Sequence, residues 1–227
     1  MIIMEEESKN QFTPDRANNF TIGYIDHDFN VYSRYLEPSL NSLQGKCAII
    51  KTTDKDNPAT NYNTIIEQAS TNYIILTHQD ISFSSNLLEK IDLTIEKVPN
   101  FGALGLVGVD SNRNYHWSTP NQLFELETLD CCFIVIQKSH GVFFDATIFD
   151  DFHLYVEDYC IQIAQKGLKI YTLLIDSNPN EKVPNINEKE WMLHHSATLS
   201  QRGACWGKYN QYKIKLNAKW GRQIKTT

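Results

Sequence analysis

Short apolar runs alternate with amphipathic stretches along the first hundred residues of the chain. Within the amphipathic stretches, apolar side chains recur at helical spacing, as Tyr32, Leu36 and Leu40 do. Strands that alternate with helices are typical of a mostly parallel sheet flanked by helices, so the pattern predicts one α/β domain. The predicted strands are Phe20–Ile25, Cys47–Thr53, Tyr73–Thr77, Phe101–Asp110, Cys131–Lys138 and Leu168–Ile175, and the predicted helices are Val31–Gly45, Asn61–Ser70, Ser84–Val98 and Asp150–Gly167.

A polar triplet, His78, Gln79 and Asp80, follows the third predicted strand directly. Ligands of parallel sheets bind outside the carboxyl ends of the strands, which favours a functional role for the triplet. Residues i and i+2 of a strand point the same way, so His78 and Asp80 could converge on one Mg²⁺ or Mn²⁺ ion. The alternative is that Asp80 caps the helix predicted to begin near Ser84.

Two acids, Glu157 and Asp158, stand in the first turn of the last predicted helix of the domain. They lie off the apolar stripe that starts at Val156 and faces the sheet. Acids at this place are stabilised by the helix dipole, which is the structural interpretation. A carboxylate held there could equally act as a general base for an alcohol nucleophile.

The adjacent pair His194 and His195 offers a further metal ligand late in the chain. Neighbouring residues point in different directions, so we expect at most one of the two to join Asp80 at a metal.

Composition and charge restrict the class of protein. The net charge of −6 over 227 residues argues against a dedicated nucleic-acid binder. The five cysteines show no CxxC spacing, which is typical of reduced thiols in a cytoplasmic protein. The acidic opening differs from a signal peptide, and no apolar run approaches the length of a membrane span.

The two ends of the chain differ from the middle. Residues 1–18 are polar and acidic, and we expect them to be loosely ordered before a domain over 19–200. Residues 201–227 hold seven basic residues, no acid and four interleaved aromatic residues. We expect this basic segment to pack on the domain. It could be a solvated amphipathic tail, or a cover over a phosphate-bearing ligand or a contact to an anionic surface.

Five stretches in order resemble the glycosyltransferase-like family related to family 2 glycosyltransferases. They are "NPATNYNTIIEQASTNYIILTHQDI" (57–81), "LETLDCCFIVIQKS" (126–139), "FDATIFDDFHLYVEDYCIQIAQKG" (144–167), "HHS" (194–196) and "KW" (219–220). The resemblance implies a single GT-A domain, the nucleotide-diphospho-sugar transferase fold, with a mostly parallel central sheet flanked by helices. It also implies inverting transfer of a sugar from a nucleotide diphosphate, a UDP-sugar being favoured, to an acceptor hydroxyl in glycan or polysaccharide synthesis.

The resemblance also implies roles for individual residues. The triplet at 78–80 takes the place of the Asp-x-Asp motif that holds metal and diphosphate. Asp158 is our expected base, with Glu157 as the substitute, because Val156 stands where the usual base would be. The other implied roles are donor contacts from Asp54, Asp56 and Asp130, acceptor contacts from Trp117 and His153, and metal ligation by Asp80 with His194 or His195, the metal being Mn²⁺ or Mg²⁺.

The implied acceptor is a glycan, a lipid-linked glycan or a protein, and the basic segment suits a peripheral contact with an anionic membrane at its cytoplasmic face. Two other functions remain open. A nucleotide-sugar or glycan-binding module could keep the fold without the base, as Val156 permits. A metal-dependent hydrolase could use His78, Asp80 and His194, although two-metal hydrolases have a denser cluster of His and Asp.

Overall fold

The computed structural model describes residues 19–53, 57–176, 192–195 and 202–226, and in the last stretch the side chains from Trp206 onward. The strands are β1 Phe20–Ile25, β2 Ala48–Thr52, β3 Tyr73–Thr77, β4 Ile81–Phe83, β5 Phe101–Gly105, β6 Val107–Val109, β7 Tyr115–Trp117, β8 Glu125–Leu126, β9 Thr128–Leu129, β10 Phe133–Gln137, β11 Lys169–Thr172 and β12 Met192–His194. The helices are α1 Phe29–Val31, α2 Glu37–Ser42, α3 Pro58–Gln68, α4 Leu87–Lys97, α5 Tyr155–Gln165 and α6 Arg202–Trp220.

Seven strands form the central sheet, in the order β2-β1-β3-β10-β5-β11-β8. Strands β2, β1, β3, β5 and β11 run in one direction, and β10 and β8 run against them. This architecture confirms the predicted α/β domain with a mostly parallel sheet. Two small sheets, β12-β4 and β7-β6-β9, lie beyond the strands of the central sheet.

The core consists of two apolar clusters, one on each face of the sheet. Strand β10 contributes to both, because Ile134 and Ile136 belong to one cluster and Phe133 and Val135 to the other. All five residues of β10 are buried, as its uninterrupted apolar run predicts. Helix α3 crosses β1 closely: a Cβ on Gly23 would lie 2.4 Å from Ile65 Cγ2.

Two predicted helices differ from the observed ones. The helix predicted from Val31 is interrupted by a π-helical turn, Tyr32–Leu36, between α1 and α2. The helix predicted from Asp150 begins only at Tyr155, because Leu154 adopts a left-handed conformation with φ of 63°. Gly167, with φ of 77°, ends the helical segment as predicted.

Helix α6 lies against α5 and the surrounding loops. Tyr212 and Leu216 are buried in the same apolar cluster as the inward face of α5. Four of the basic residues of this segment pair with acids of the domain: Lys208 with Asp151, Lys215 with Asp150, Lys219 with Asp145 and Asp158, and Arg222 with Glu127. These pairs favour packing on the domain over contact with an anionic surface. Among the described helices, none has the length and apolar character that crossing a bilayer requires.

Candidate active site

The polar triplet leaves the sheet at the carboxyl end of β3. The backbone N–H of His78 donates to the carbonyl of Cys132, which fixes the first residue beyond the strand. Strand β4 then pairs antiparallel with β12, and the register sets His194 opposite Ile81. Two strands that are more than a hundred residues apart in sequence thus bring His194 beside Asp80.

Three side chains, His78, Asp80 and His194, form a compact cluster there. Asp80 Oδ2 lies 3.4 Å from His194 Nε2, and Asp80 Oδ1 lies 4.0 Å from His78 Nδ1. One ligand atom from each residue lies within 4.8 Å of the others, close enough to surround a single ion. Asp80 is 1% exposed, and α4 begins only at Leu87, so the geometry favours the metal role of Asp80 over the helix-cap role.

The electrostatics of the cluster differ between its two imidazoles. Burial lowers the pKa of His78, and the charge of Asp80 only partly offsets that effect. Burial also acts to lower the pKa of His194, but the hydrogen bond and charge of Asp80, together with the charge of Asp130, raise it above its ordinary value. A neutral imidazole at His78 keeps a lone pair available for coordination.

The donor set suits a divalent ion of the first transition series. Two imidazole nitrogens and one carboxylate match Mn²⁺ and its neighbours better than Mg²⁺, which prefers oxygen ligands. His194 Nε2 is shielded from solvent and faces Asp80 Oδ2 at 3.4 Å. A nitrogen and a carboxylate oxygen that face each other in this way can share a bound cation.

Gln79 does not turn toward the cluster but anchors the loop after β1. Its side-chain oxygen accepts hydrogen bonds from the backbone N–H groups of His27 and Asp28, and its nitrogen donates to Asp26. The same loop is tied to β2 by an ion pair between Lys51 and Asp26. Gln79 therefore shapes the carboxyl edge of β1, whereas the predicted donor residues Asp54 and Asp56 lie outside the described residues.

Asp130 lies at the turn that precedes β10. Its Oδ1 accepts a hydrogen bond of 2.8 Å from the N–H of Cys132, so it caps the start of the strand. Its charge acts to raise the pKa values of His78 and His194, although burial keeps the pKa of His78 below its ordinary value. Its position is therefore compatible with the predicted donor contact as well as with a cap at the start of β10.

Asp158, the expected base, is fully buried and surrounded by hydrogen-bond donors. Lys219 Nζ lies 2.8 and 2.9 Å from its two oxygens. Trp220 Nε1 donates to Oδ1 at 2.8 Å, and Gln162 Nε2 donates to Oδ2 at 2.9 Å. Burial raises the pKa of Asp158, and these donors lower it only in part. The geometry is that of an anchor for α6, and it argues against proton transfer from an acceptor to this carboxylate.

Glu157 and Val156 precede this anchor on the same helical turn. Val156 lies in the apolar core. Glu157 is buried, and its charge acts on Cys131 and Tyr209, as does the charge of Asp130. Glu157 thus lies near the same side chains as Asp130, the residue that caps β10. We therefore favour Glu157 over Asp158 as the candidate base.

The remaining predicted site residues lie in three different places. His195 turns away from the metal ligands: its Nε2 lies 2.9 Å from Ser82 Oγ, and its ring stacks on Tyr35 with a centroid distance of 4.1 Å. Of the two histidines, only His194 belongs to the metal cluster, so we set His195 aside as a ligand. Trp117 lies half-exposed on β7, and the ring of His153 faces the ring of Tyr209 on α6.

Sequence reasoning missed Tyr155, whose hydroxyl lies 3.2 Å from His78 Nε2. The two residues are 77 positions apart, and a tyrosine at a helix start carries no signal of such a contact. It also missed the partners of Asp158, because Lys219 and Trp220 are contributed by α6.

Similarity to solved structures identifies the fold of this chain, whereas sequence comparisons find no match. No protein-family model matches the chain, and no curated protein matches it by sequence. A mannosyltransferase from Pyrobaculum calidifontis, solved with GDP-Man and Mn²⁺, is similar in structure, with a TM-score of 0.56 and 13% identity over 94% of this chain and 67% of that one.

GalNAc-T7, solved with UDP, GalNAc and Mn²⁺, has a TM-score of 0.53 and 8% identity over 78% of this chain. The match spans 44% of the GalNAc-T7 chain, less than half of its length. Both neighbours are GT-A glycosyltransferases, and the order and direction of the strands agree with that architecture. The chain therefore has the GT-A glycosyltransferase fold.

Proposed function

We propose that this protein transfers a sugar from a nucleotide-diphosphate sugar to an acceptor hydroxyl, with inversion and with the help of a divalent metal, in glycan or polysaccharide synthesis. The observation that carries the proposal is the cluster of His78, Asp80 and His194 at the carboxyl end of β3 in a GT-A fold. The nucleotide, sugar and Mn²⁺ in the two neighbouring structures support the class of donor, for which we favour a UDP-sugar.

The metal would be held by Asp80, His78 and His194. When bound, it supplies positive charge that stabilises the diphosphate as it leaves the sugar. Asp80 is buried, and His78 and His194 are half-buried. We favour Mn²⁺ over Mg²⁺ because of the two nitrogen donors.

The donor would lie between this cluster and the loop after β1. Gln79 fixes that loop through its two backbone contacts, so it would act on the donor by shaping its site. Asp130 would contact the donor sugar, because it lies close enough to His78 and His194 for its charge to affect both pKa values. Asp54 or Asp56 would contact the nucleobase or the ribose.

Glu157 would be the general base. Its carboxylate accepts the proton of the acceptor hydroxyl, while that oxygen forms a bond to the anomeric carbon. The bond from the anomeric carbon to the diphosphate oxygen breaks, and the nucleoside diphosphate leaves with the electron pair. Asp158 would hold α6 and the first turn of α5 in place, because both of its oxygens are engaged by Lys219 and its neighbours.

The acceptor would be a glycan, a lipid-linked glycan or a protein, bound in the cytoplasm with Trp117 and His153 among its contacts. Exposed aromatic side chains can stack on sugar rings, and Trp117 on β7 is 39% exposed. Peripheral contact with an anionic membrane would use the outward face of α6, which carries Lys213 and the 64% exposed Trp206.

A non-catalytic nucleotide-sugar or glycan-binding module is the second candidate function. Val156 favours it, because an apolar residue stands where the resemblance places the base, and it is buried in the core. Binding of the donor would then persist without transfer.

A panel of nucleotide sugars with Mn²⁺ tests both candidates. We expect one donor to raise the melting temperature and to be hydrolysed or transferred, with release of nucleoside diphosphate. Asp80→Ala should abolish both effects, and Glu157→Gln should keep binding while turnover falls at least about a hundredfold. Binding without turnover under any acceptor would favour the module, and absence of binding by all donors would refute both.

A further inference from the structure

The two ring nitrogens of His78 face different partners. His78 Nδ1 faces Asp80 and the metal cluster at 4.0 Å. His78 Nε2 lies 3.2 Å from the hydroxyl of Tyr155, the first residue of α5. The ring thus joins the cluster on one side and the start of α5 on the other.

An imidazole that coordinates a metal through one nitrogen carries its proton on the other. A hydrogen bond from that N–H fixes the tautomer and the orientation of the ring, and it makes the ligand more basic. The Tyr155 hydroxyl can accept this hydrogen bond from Nε2, and the thiol of Cys131 lies among its other neighbours.

The surroundings hold Tyr155 rigidly. Its ring is fully buried and packs against Tyr62 and Phe144, at centroid distances of 5.8 and 5.7 Å. Leu154 precedes it in a left-handed backbone conformation, which is uncommon for a residue with a branched side chain. Conformations of this kind cluster at functional sites, and here the bend directs the first residue of α5 at His78.

We propose that Tyr155 is a positioning residue that holds His78 with Nδ1 toward the metal, and that Nδ1 is the coordinating atom. The proposal rests on the metal role proposed above and adds an outer partner to one of its ligands. It also links the helix that carries Glu157 to the metal, since Tyr155 and Glu157 share the first turn of α5.

The full chain offers a matched control. Tyr159 lies one turn further along α5, is equally buried, and its hydroxyl has no hydrogen-bond partner among the described residues. Mn²⁺ is titrated into the wild type, Tyr155→Phe, Tyr159→Phe and Asp80→Ala, and the free ion is followed by electron paramagnetic resonance. We expect the affinity of Tyr155→Phe for Mn²⁺ to fall about 10- to 100-fold. Tyr159→Phe should stay within about twofold of the wild type.

A second measurement needs no metal, and its deciding result comes from the wild type. The ¹⁵N chemical shifts of His78 in the metal-free wild type report which ring nitrogen is protonated. We expect the proton on Nε2, and a mixture of tautomers in Tyr155→Phe. A proton on Nδ1 in the wild type would overturn the proposal, even if the Tyr155 variant failed to fold.

The outcomes separate this inference from the proposed function. Loss of Mn²⁺ binding in Asp80→Ala with unchanged affinity in Tyr155→Phe refutes the role of Tyr155 and leaves the metal site in place. A wild type that binds no Mn²⁺ refutes the metal role and the inference together. Equal weakening in Tyr155→Phe and Tyr159→Phe would indicate a general packing effect and also overturn the inference.

Discussion

Two buried carboxylates, Asp80 and Asp158, have opposite surroundings. Asp80, 1% exposed, faces the imidazoles of His78 and His194 at distances of 3.4 to 4.0 Å. Asp158, 0% exposed, accepts hydrogen bonds at 2.8 to 2.9 Å from three different side chains. Asp158 is therefore hydrogen-bonded to donors that cannot act as metal ligands. Asp80 lies beside imidazoles, which can coordinate a cation.

This difference distinguishes a structural role from a chemical one. A buried charge must be paired. The ammonium of Lys219, the indole N–H of Trp220 and the amide of Gln162 pair with Asp158. Imidazoles can lose their protons and offer lone pairs instead, so the same burial leaves a place for a metal. We therefore interpret Asp158, to which the resemblance gives the role of base, as a structural carboxylate, and Asp80 as the candidate metal ligand.

Removal of each carboxylate in turn should give the largest effect. Asp158→Ala leaves Lys219, Trp220 and Gln162 without their shared acceptor, and we expect a loss of about 3–5 kcal/mol in the free energy of unfolding. Asp80→Ala in the metal-free protein should cost much less, because both of its partners can become neutral. Urea denaturation in the presence of a chelator measures both. Equal losses would contradict the division into a structural and a chemical carboxylate.

The adjacent histidines give the next test. His194→Gln should lower the affinity for Mn²⁺ about a hundredfold, which corresponds to about 2.8 kcal/mol, because one of three ligands is lost. His195→Gln should leave the affinity within about threefold, since its ring stacks on Tyr35 and its Nε2 pairs with Ser82. The titration is the same for both variants. A larger loss in His195→Gln would show that the ligand had been assigned to the wrong neighbour.

These two histidines also show which parts of the site can be predicted from the sequence. The end of the strand at Thr77, at the carboxyl edge of the sheet, follows from an apolar run in an alternating pattern. The position of His78 and Asp80 could therefore be predicted. The choice of His194 over His195 could not, because the register of β12 on β4 decides it. The anchoring role of Asp158 was hidden for the same reason: Lys219 lies 61 residues away on another helix.

Removal of the indole hydrogen bond from Trp220 to Asp158 should have an intermediate effect on the free energy of unfolding. Trp220→Phe removes the Nε1–H bond of 2.8 Å and keeps an aromatic ring in its place. A hydrogen bond to a buried charge contributes about 1.5–3 kcal/mol, so we expect a loss of about 2 kcal/mol in the free energy of unfolding. Mn²⁺ affinity should not change, which separates the anchor from the metal site. The matched control is Trp206→Phe, because Trp206 is 64% exposed and should have little effect on stability.

The smallest effect concerns pH, and it depends on Asp145, which shares Lys219 with Asp158. Burial acts to raise the pKa of Asp145, but Lys219 and Thr147 outweigh it and lower the pKa from 3.8 to about 2. Folding thus favours the ionised form, so its contribution is present above pH 3.8 and is lost as the pH falls toward about 2. The carboxylate is 22% exposed and partly screened, so we expect a contribution of about 1 kcal/mol.

Asp145→Asn should therefore flatten the acid limb of the stability curve between pH 3.8 and about 2, as urea denaturation at several pH values would show. Asp158→Asn should not flatten it, because burial raises the pKa of Asp158 and the sign of its contribution is reversed. A flattened limb in Asp158→Asn would mean that Lys219 and its neighbours stabilise the ionised form of Asp158 more than burial opposes it. The two carboxylates that share one lysine, Asp145 and Asp158, would then titrate alike.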